Sequence, residues 1–418
     1  MSEMEKVKLE DILASENMRQ AWKAVKQNDG AAGVDRKTIE QTADHLKQHW
    51  PEIRRKLLDS EYQPAAVRAV EIPKANGKTR MLGIPTVQDR LIQQALHQKL
   101  SAVFEPTMSP HSYGFRPNRS AHDAVNAARG YVEEGKTWVV DIDLKSYFDQ
   151  VNHDRLMNMV SAEVKDKSIL TLIGRYLRAP MRHKDGKQEK RLRGTPQGGP
   201  LSPLLANIYL DPLDKELQSR GIAFVRYADD IALFLSSQRS AQRALQSVKE
   251  WLSKHLELQI NEDKSGVGPS GQSQLLGFRI HETAKVSVAP KAIQRLKEKV
   301  RQLWDARQSL TIKEMREQWQ NYIRGWWNYF GHADWQDEVR KLSGWIRRHM
   351  RKYFWQRWHN RAGRYNALKR LGITGRALKV AGTKRGAWPM AIHVTINQAL
   401  KTSRLNQAGF NLPWELAG

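Results

Sequence analysis

Residues 223–235 read AFVRYADDIALFL: two apolar runs on either side of a short acidic turn. Runs of that length joined so tightly predict a β-hairpin with Asp229 and Asp230 at its tip. Upstream, WVVDIDL at 138–144 predicts a buried strand that delivers Asp143 to its end, where the chain turns toward a helix. Both segments therefore hold carboxylates at the ends of rigid strands. Asp141, two residues before Asp143, shares its face of the strand and is read as a supporting residue.

Charge narrows the partner. The 418 residues include 69 Lys and Arg against 44 Asp and Glu, a net charge of +25, with a pI near 10.1. An excess of that size repels itself in the compact state unless a polyanion neutralises it, and nucleic acid is the natural candidate. No run of about 18 apolar residues appears, so no membrane-spanning helix is expected. The N-terminus MSEMEKVKLEDILASENMRQAW lacks the basic and apolar regions of a secretory signal. The sequence contains no cysteine, which excludes a disulfide partner, thiol catalysis and cysteine zinc sites. These features fit a cytoplasmic protein.

Helical periodicity is expected over 8–29, 37–58, 87–104, 120–134, 154–178 and 240–256, and a hairpin over 67–85 around Asn76-Gly77. GTPQGGPLSP at 194–203 predicts a loop that opens a helix through about 219, and LLGFRI at 275–280 predicts a strand. Composition then shifts. Residues 291–370 hold 20 Lys and Arg against 7 acids, and 8 of the 14 tryptophans. We place a boundary near 285 and a softer one near 350. No internal repeat is visible.

Three carboxylates on strand ends suit one chemistry above others. They can share two magnesium ions that flank an in-line phosphoryl transfer, one activating the attacking hydroxyl and the other neutralising the leaving group. Taken singly, each motif has a plainer reading: Asp-Asp at a hairpin tip is usually only a turn.

The context resolves this through resemblance. YADD at 227–230 resembles the tyrosine-x-aspartate-aspartate motif of reverse transcriptases, DLKSYFDQVNH at 143–153 the first aspartate motif, and TPQGGPLSPLLANIYL at 195–210 the proline-glutamine-glycine block. They occur in the family's order, with Asp229 lying 86 positions after Asp143. EIPKANGKTRMLGIP and SYGFRPNRSAHDAV resemble the upstream finger blocks, and LLGF at 275–278 the primer-grip block. GVDRKTIE, IRGWWNYF and TKRGAW resemble segments of the group II intron reverse transcriptases, also called maturases.

That resemblance implies an α+β fold of right-hand type, with fingers and palm followed by an all-helical thumb and a basic C-terminal segment. The implied divisions are 1–60 (N-terminal extension and start of the fingers), 61–284 (fingers and palm), 285–350 (thumb) and 351–418 (DNA-binding). It implies Asp143, Asp229 and Asp230 as catalytic metal ligands, with the Leu144 carbonyl as a further ligand. Two Mg2+ ions are the expected cofactor, with Mn2+ as a substitute. Lys74, Arg80, Phe148 and Gln197 match the positions that hold the incoming dNTP, Phe148 as a steric gate against ribose. Gly277 and Phe278 match the primer grip, and Arg116 is placed near the template.

In the C-terminal third, tryptophans and arginines interleave. Trp326 and Trp327 read as core. Arg324, Arg347, Arg348 and Arg351 read as nucleic-acid contacts, against the alternative of a solvated charged face. The implied partners are an RNA template, a DNA or RNA primer, dNTPs, structured intron RNA and target DNA. Second-strand cleavage by an HNH endonuclease is expected to be absent. Two alternatives stay open: a stand-alone enzyme of the same fold serving DNA repair or defence, and an RNA-binding splicing cofactor without polymerase activity.

Overall fold

The computed structural model describes residues 7–73 and 79–416. Lys74 and the Asn76-Gly77 turn lie outside the described residues, as does the side chain of Arg80. The chain forms two compact units, Met1–Pro269 and Ser270–Gly418.

The first unit is built on two four-stranded sheets. One contains β1 (Val67–Pro73), β2 (Thr79–Ile84), β4 (Met181–Arg182) and β5 (Gln188–Glu189), in the order β2-β1-β4-β5. The other contains β3 (Trp138–Asp143), β6 (Ala223–Tyr227), β7 (Asp230–Leu235) and β8 (Gly266–Pro269), in the order β6-β7-β3-β8. All pairings in this second sheet are antiparallel. Val140, Phe224 and Leu233 are fully buried in it, and helix Ser202–Ser219 brings Tyr209 and Leu213 to the same core. Residues alternate between two faces along a strand, so burying one set fixes the register.

The base of the first sheet is tied down by a buried carboxylate. Asp89 accepts from Thr86 Oγ1 at 2.7 Å, Tyr62 Oη at 2.8 Å and Tyr176 Oη at 3.2 Å. This links the segment before β1 to helices Val87–Phe104 and Lys167–Arg178.

The helix expected over 154–178 is two helices, His153–Glu163 and Lys167–Arg178. Asp166 makes the break, because its carboxylate accepts from the amides of Ser168 at 2.7 Å and Ile169 at 3.1 Å and starts a new helix.

In the second unit, β9 (Phe278–Ile280) and β10 (Val286–Val288) form an antiparallel hairpin. Helices Pro290–Leu303, Ile312–Phe330, Asp337–Arg357 and Arg361–Arg370 follow. The hairpin belongs to this unit because Phe278 packs against Tyr329 and Phe330, with ring centroids 5.4 and 5.3 Å apart. The division therefore precedes residue 285. No backbone break occurs near 350, since helix Asp337–Arg357 runs through it. Trp304, Trp319, Tyr353 and Phe410 form the core, with Trp304 centroids 5.3–5.5 Å from the other three. Edge-to-face packing at such distances suits the ring quadrupoles. Trp326 is buried, as its helical spacing predicts.

Candidate active site

The register of the second sheet builds the site. Asp143 is the cross-strand partner of Asp230, and Asp141 that of Ala232. Tyr227 pairs with Asp230 across the hairpin, leaving Ala228 and Asp229 as a two-residue loop. Direct cross-strand partners project to the same face of a sheet, so Asp143, Asp230 and, two residues back, Asp141 share one face.

The charges respond to that crowding. Asp230 is open to solvent on one side. Its carboxyl is nevertheless pushed up to about 6, first by desolvation and then by Asp229, Asp143 and Asp141, with Lys264 pulling the other way. Like charges in one place disfavour ionisation. Lys264 relieves part of the strain, its Nζ lying 3.1 Å from Asp143 Oδ2. The Asp143 amide donates to Ser265 Oγ at 3.0 Å, and its carbonyl accepts from the Asn261 amide at 2.7 Å. Among the described residues, no three carboxylate or histidine side chains are drawn into a closed metal cage.

The chain after Asp143 carries Leu144, buried beside Ile260, and then Ser146 in a left-handed conformation, which turns the backbone into the short helix Tyr147–Gln150. Tyr147 is buried and its hydroxyl donates to the Ala206 carbonyl at 2.5 Å. Phe148 beside it is half-buried. The Phe148 carbonyl accepts from the Thr195 amide at 2.7 Å, and the Gln197 carbonyl accepts from the Gly83 amide of β2 at 2.9 Å. The 194–200 loop thus spans from Phe148 to β2, bringing Phe148 and Gln197 to one region. Gly198 is required there: a Cβ would sit 2.8 Å from the Gly83 carbonyl oxygen, and its φ is +127°. Arg80 lies on β2 opposite Ile72.

Gly277 and Phe278 sit in the second unit, Gly277 against the Phe330 ring and Phe278 buried. Arg324 is exposed on helix Ile312–Phe330.

Four of the arginines expected at nucleic acid make contacts within the protein, Arg116 and Arg347 being buried and Arg348 and Arg351 half-buried. Arg116 is buried, pairs with Glu105 at 2.7 Å and donates to the carbonyls of Ser109 and Ser112. Arg347 is buried and donates to the Phe410 carbonyl, Asn406 Oδ1 and Glu415 Oε2, each at 2.6 Å. Arg348 lies over the Trp388 ring at 3.9 Å and donates to its carbonyl. Arg351 donates to the Leu400 carbonyl at 3.1 Å. The last three fasten the C-terminal segments onto helix Asp337–Arg357. An arginine fork satisfies several orphan carbonyls at once, and the sequence pattern cannot separate that use from phosphate binding. Sequence reading also missed Lys264, which touches Asp143, and Arg226 beneath the hairpin.

Two family models match. The reverse transcriptase (RNA-dependent DNA polymerase) model covers residues 72–280, and the model of the group II intron maturase-specific domain covers 293–372. The fold of the first unit is thus that of a reverse transcriptase. Among curated proteins, YkfC of Escherichia coli (strain K12) is 34% identical over 254 residues, 51% of this chain and 66% of that protein. LtrA, a group II intron-encoded protein of Lactococcus lactis subsp. cremoris, is 40% identical over 179 residues, 42% of this chain and 30% of LtrA. The chain therefore spans less than two thirds of each. A telomerase structure from Candida albicans aligns over 80% of this chain and 69% of that one, at 12% identity and a TM-score of 0.44. The chain belongs to the group II intron reverse transcriptase/maturase family.

Proposed function

We propose that this protein is an RNA-directed DNA polymerase that extends a primer 3′-hydroxyl with dNTPs on an RNA template. The observation that carries the reading is the register of Asp143 against Asp230, with Asp229 in the loop between Tyr227 and Asp230. The donor set fits a hard divalent cation: several carboxylate oxygens share one face, and one carboxyl is raised by its like-charged neighbours. Asp143, Asp229 and Asp230 would hold two Mg2+ ions, or Mn2+, with the Leu144 carbonyl beside them. Those ions supply activation of the primer hydroxyl and neutralisation of the leaving pyrophosphate when bound.

The protein's own residues do the positioning. Lys74 and Arg80 are assigned to the triphosphate as cations, on the family resemblance of their positions. Phe148, on the short helix Tyr147–Gln150, limits the space beside the sugar, and Gln197 lies on the neighbouring 194–200 loop that reaches β2. Gly277 and Phe278 support the primer. In an extension assay on an RNA template, Asp229→Ala, Asp230→Ala protein is expected to lose synthesis.

A second activity is favoured by the maturase-domain match over 293–372. We read the second unit as also binding structured intron RNA to assist splicing, with target DNA as a further partner. If the two activities are separable, the same double-alanine protein retains splicing. Loss of splicing alongside synthesis in a folded variant would contradict that separation. A stand-alone role in repair or defence would use the same chemistry, and the presence or absence of intron RNA flanking the gene distinguishes it.

A further inference from the structure

The loop that carries Asp229 rests on an ion pair with no exposure to solvent. Arg226 and Asp214 are both fully buried. Arg226 Nε donates to Asp214 Oδ1 at 2.8 Å and Oδ2 at 3.0 Å, and Nη2 donates to Oδ2 at 2.5 Å. Nη1 divides its two protons between Asn207 Oδ1 at 2.8 Å and the Ala228 carbonyl at 3.1 Å. Asn207 in turn donates from Nδ2 to the Gly114 carbonyl at 2.8 Å. Both acceptor side chains come from helix Ser202–Ser219.

Ala228 is held in a left-handed conformation, φ +58°. That conformation is unfavourable for an L-residue with a Cβ, and glycine is the usual choice at the first position of such a two-residue loop. Something must therefore hold the turn. The Arg226 contact to the Ala228 carbonyl does so from below. Gly114 also lies so close that a Cβ there would sit 2.5 Å from the Ala228 amide nitrogen. The backbone of Arg226 is itself clamped, its amide donating to the His111 carbonyl at 2.9 Å and its carbonyl accepting from the Tyr113 amide at 2.8 Å.

Stability alone is a weak reason for this arrangement. A buried ion pair rarely improves on well-packed apolar residues, because desolvating two charges offsets their attraction. A planar fork fixed at several acceptors does something an apolar pair cannot: it sets direction.

We propose that Arg226 is a positioning residue, which locks the strained Ala228 turn and so aims Asp229 and Asp230 at the cations they share with Asp143. This rests on the polymerase reading above. It predicts that Arg226→Lys, which keeps the charge but not the fork, raises the Mg2+ concentration for half-maximal extension several-fold. The single-turnover rate at saturating Mg2+ falls by roughly 10–100-fold, as for a small misplacement of reacting groups. The primer–template Kd stays unchanged. Mn2+ binding to the free protein, measured by electron paramagnetic resonance, weakens in parallel, and this readout does not depend on turnover.

A merely structural role would lower activity in proportion to the folded fraction, seen by circular dichroism and melting, with Mg2+ dependence and Mn2+ affinity unmoved; that result overturns the proposal. Should Arg226→Lys fail to fold, Asn207→Ala decides. It removes one anchor of the fork, and the same shift in metal dependence at smaller amplitude is expected, whereas wild-type dependence overturns the proposal. Wild-type protein assayed in parallel separates the two levels: if it neither binds Mn2+ nor extends a primer, the reading of the site has failed, not only the role of Arg226.

Discussion

Asp143 and Asp230 stand directly opposite each other at the ends of β3 and β7, while Lys264 Nζ lies 3.1 Å from the Asp143 carboxylate. The site is thus a like-charge cluster partly relieved by the Lys264 ammonium. On the proposed reading that ammonium would compete with a metal ion for the same oxygen. Lys264→Met is therefore expected to tighten Mn2+ binding to the free protein. The pair is exposed and screened, so the change should be on the order of 1 kcal/mol, a few-fold in Kd. Weaker binding in the variant would mean that Lys264 assists the ion instead of competing with it.

Phe148 is half-buried next to a fully committed Tyr147. Removing the ring opens space beside Tyr147, whose own ring lies 5.2 Å away and is anchored through its hydroxyl. Phe148→Ala is expected to admit ribonucleotides, lowering the preference for dNTP over rNTP by about 10-fold or more, since a steric gate discriminates by clash. Single-nucleotide incorporation measured with each substrate tests it. Unchanged discrimination would remove Phe148 from this role.

Arg347 and Arg324 should separate cleanly. Arg347→Gln strips a buried guanidinium from its acceptors, among them the part-exposed Glu415, and should cost about 1–3 kcal/mol of stability in the second unit. Exposed Arg324→Gln should leave the melting temperature unchanged. It should weaken RNA binding and reduce the slope of log K against log salt by about 1 if the residue contacts a phosphate. The opposite assignment of effects would reverse our reading of which arginines face outward.

His349 is packed between Trp345 and Trp388. Its pKa is pushed down to about 4 by burial, then by Lys352, Arg301 and Arg348. The unfolded chain binds this proton more readily than the folded one, so stability rises with pH across the interval. The contribution is present above about pH 6.5 and is lost as pH falls toward about 4. With solvent screening it should amount to roughly 1–2 kcal/mol. Thermal melts of wild type and His349→Gln between pH 7 and 4.5 test this, the variant showing the shallower decline. Parallel curves would contradict it.

Much of the first unit was legible because its pattern is local. The apolar runs flanking Asp229 and Asp230 specify a hairpin, and WVVDID a buried strand; both lie in one sheet. Other elements left weak signals. β8 reads GVGP, whose glycines and proline argue against a strand, yet it pairs with β3 at the sheet edge. The β4–β5 hairpin is polar and short, and gains its place by pairing with β1. The split at Asp166 turns on a side-chain cap within an unbroken helical period. Arg347 and Arg226 show the deeper limit. A basic residue is written identically whether it meets a phosphate or a carboxylate of its own chain, and only the fold brings Asp214 or Glu415 to it.

The most direct measurement is extension of a primer annealed to an RNA template, with Mg2+ and dNTPs, comparing wild type with Asp143→Ala. The account predicts synthesis by the wild type and a loss of at least about 10²–10³-fold in the variant, with folding intact. A folded wild-type protein that lengthens no primer, or an Asp143→Ala protein that matches it, would contradict the account.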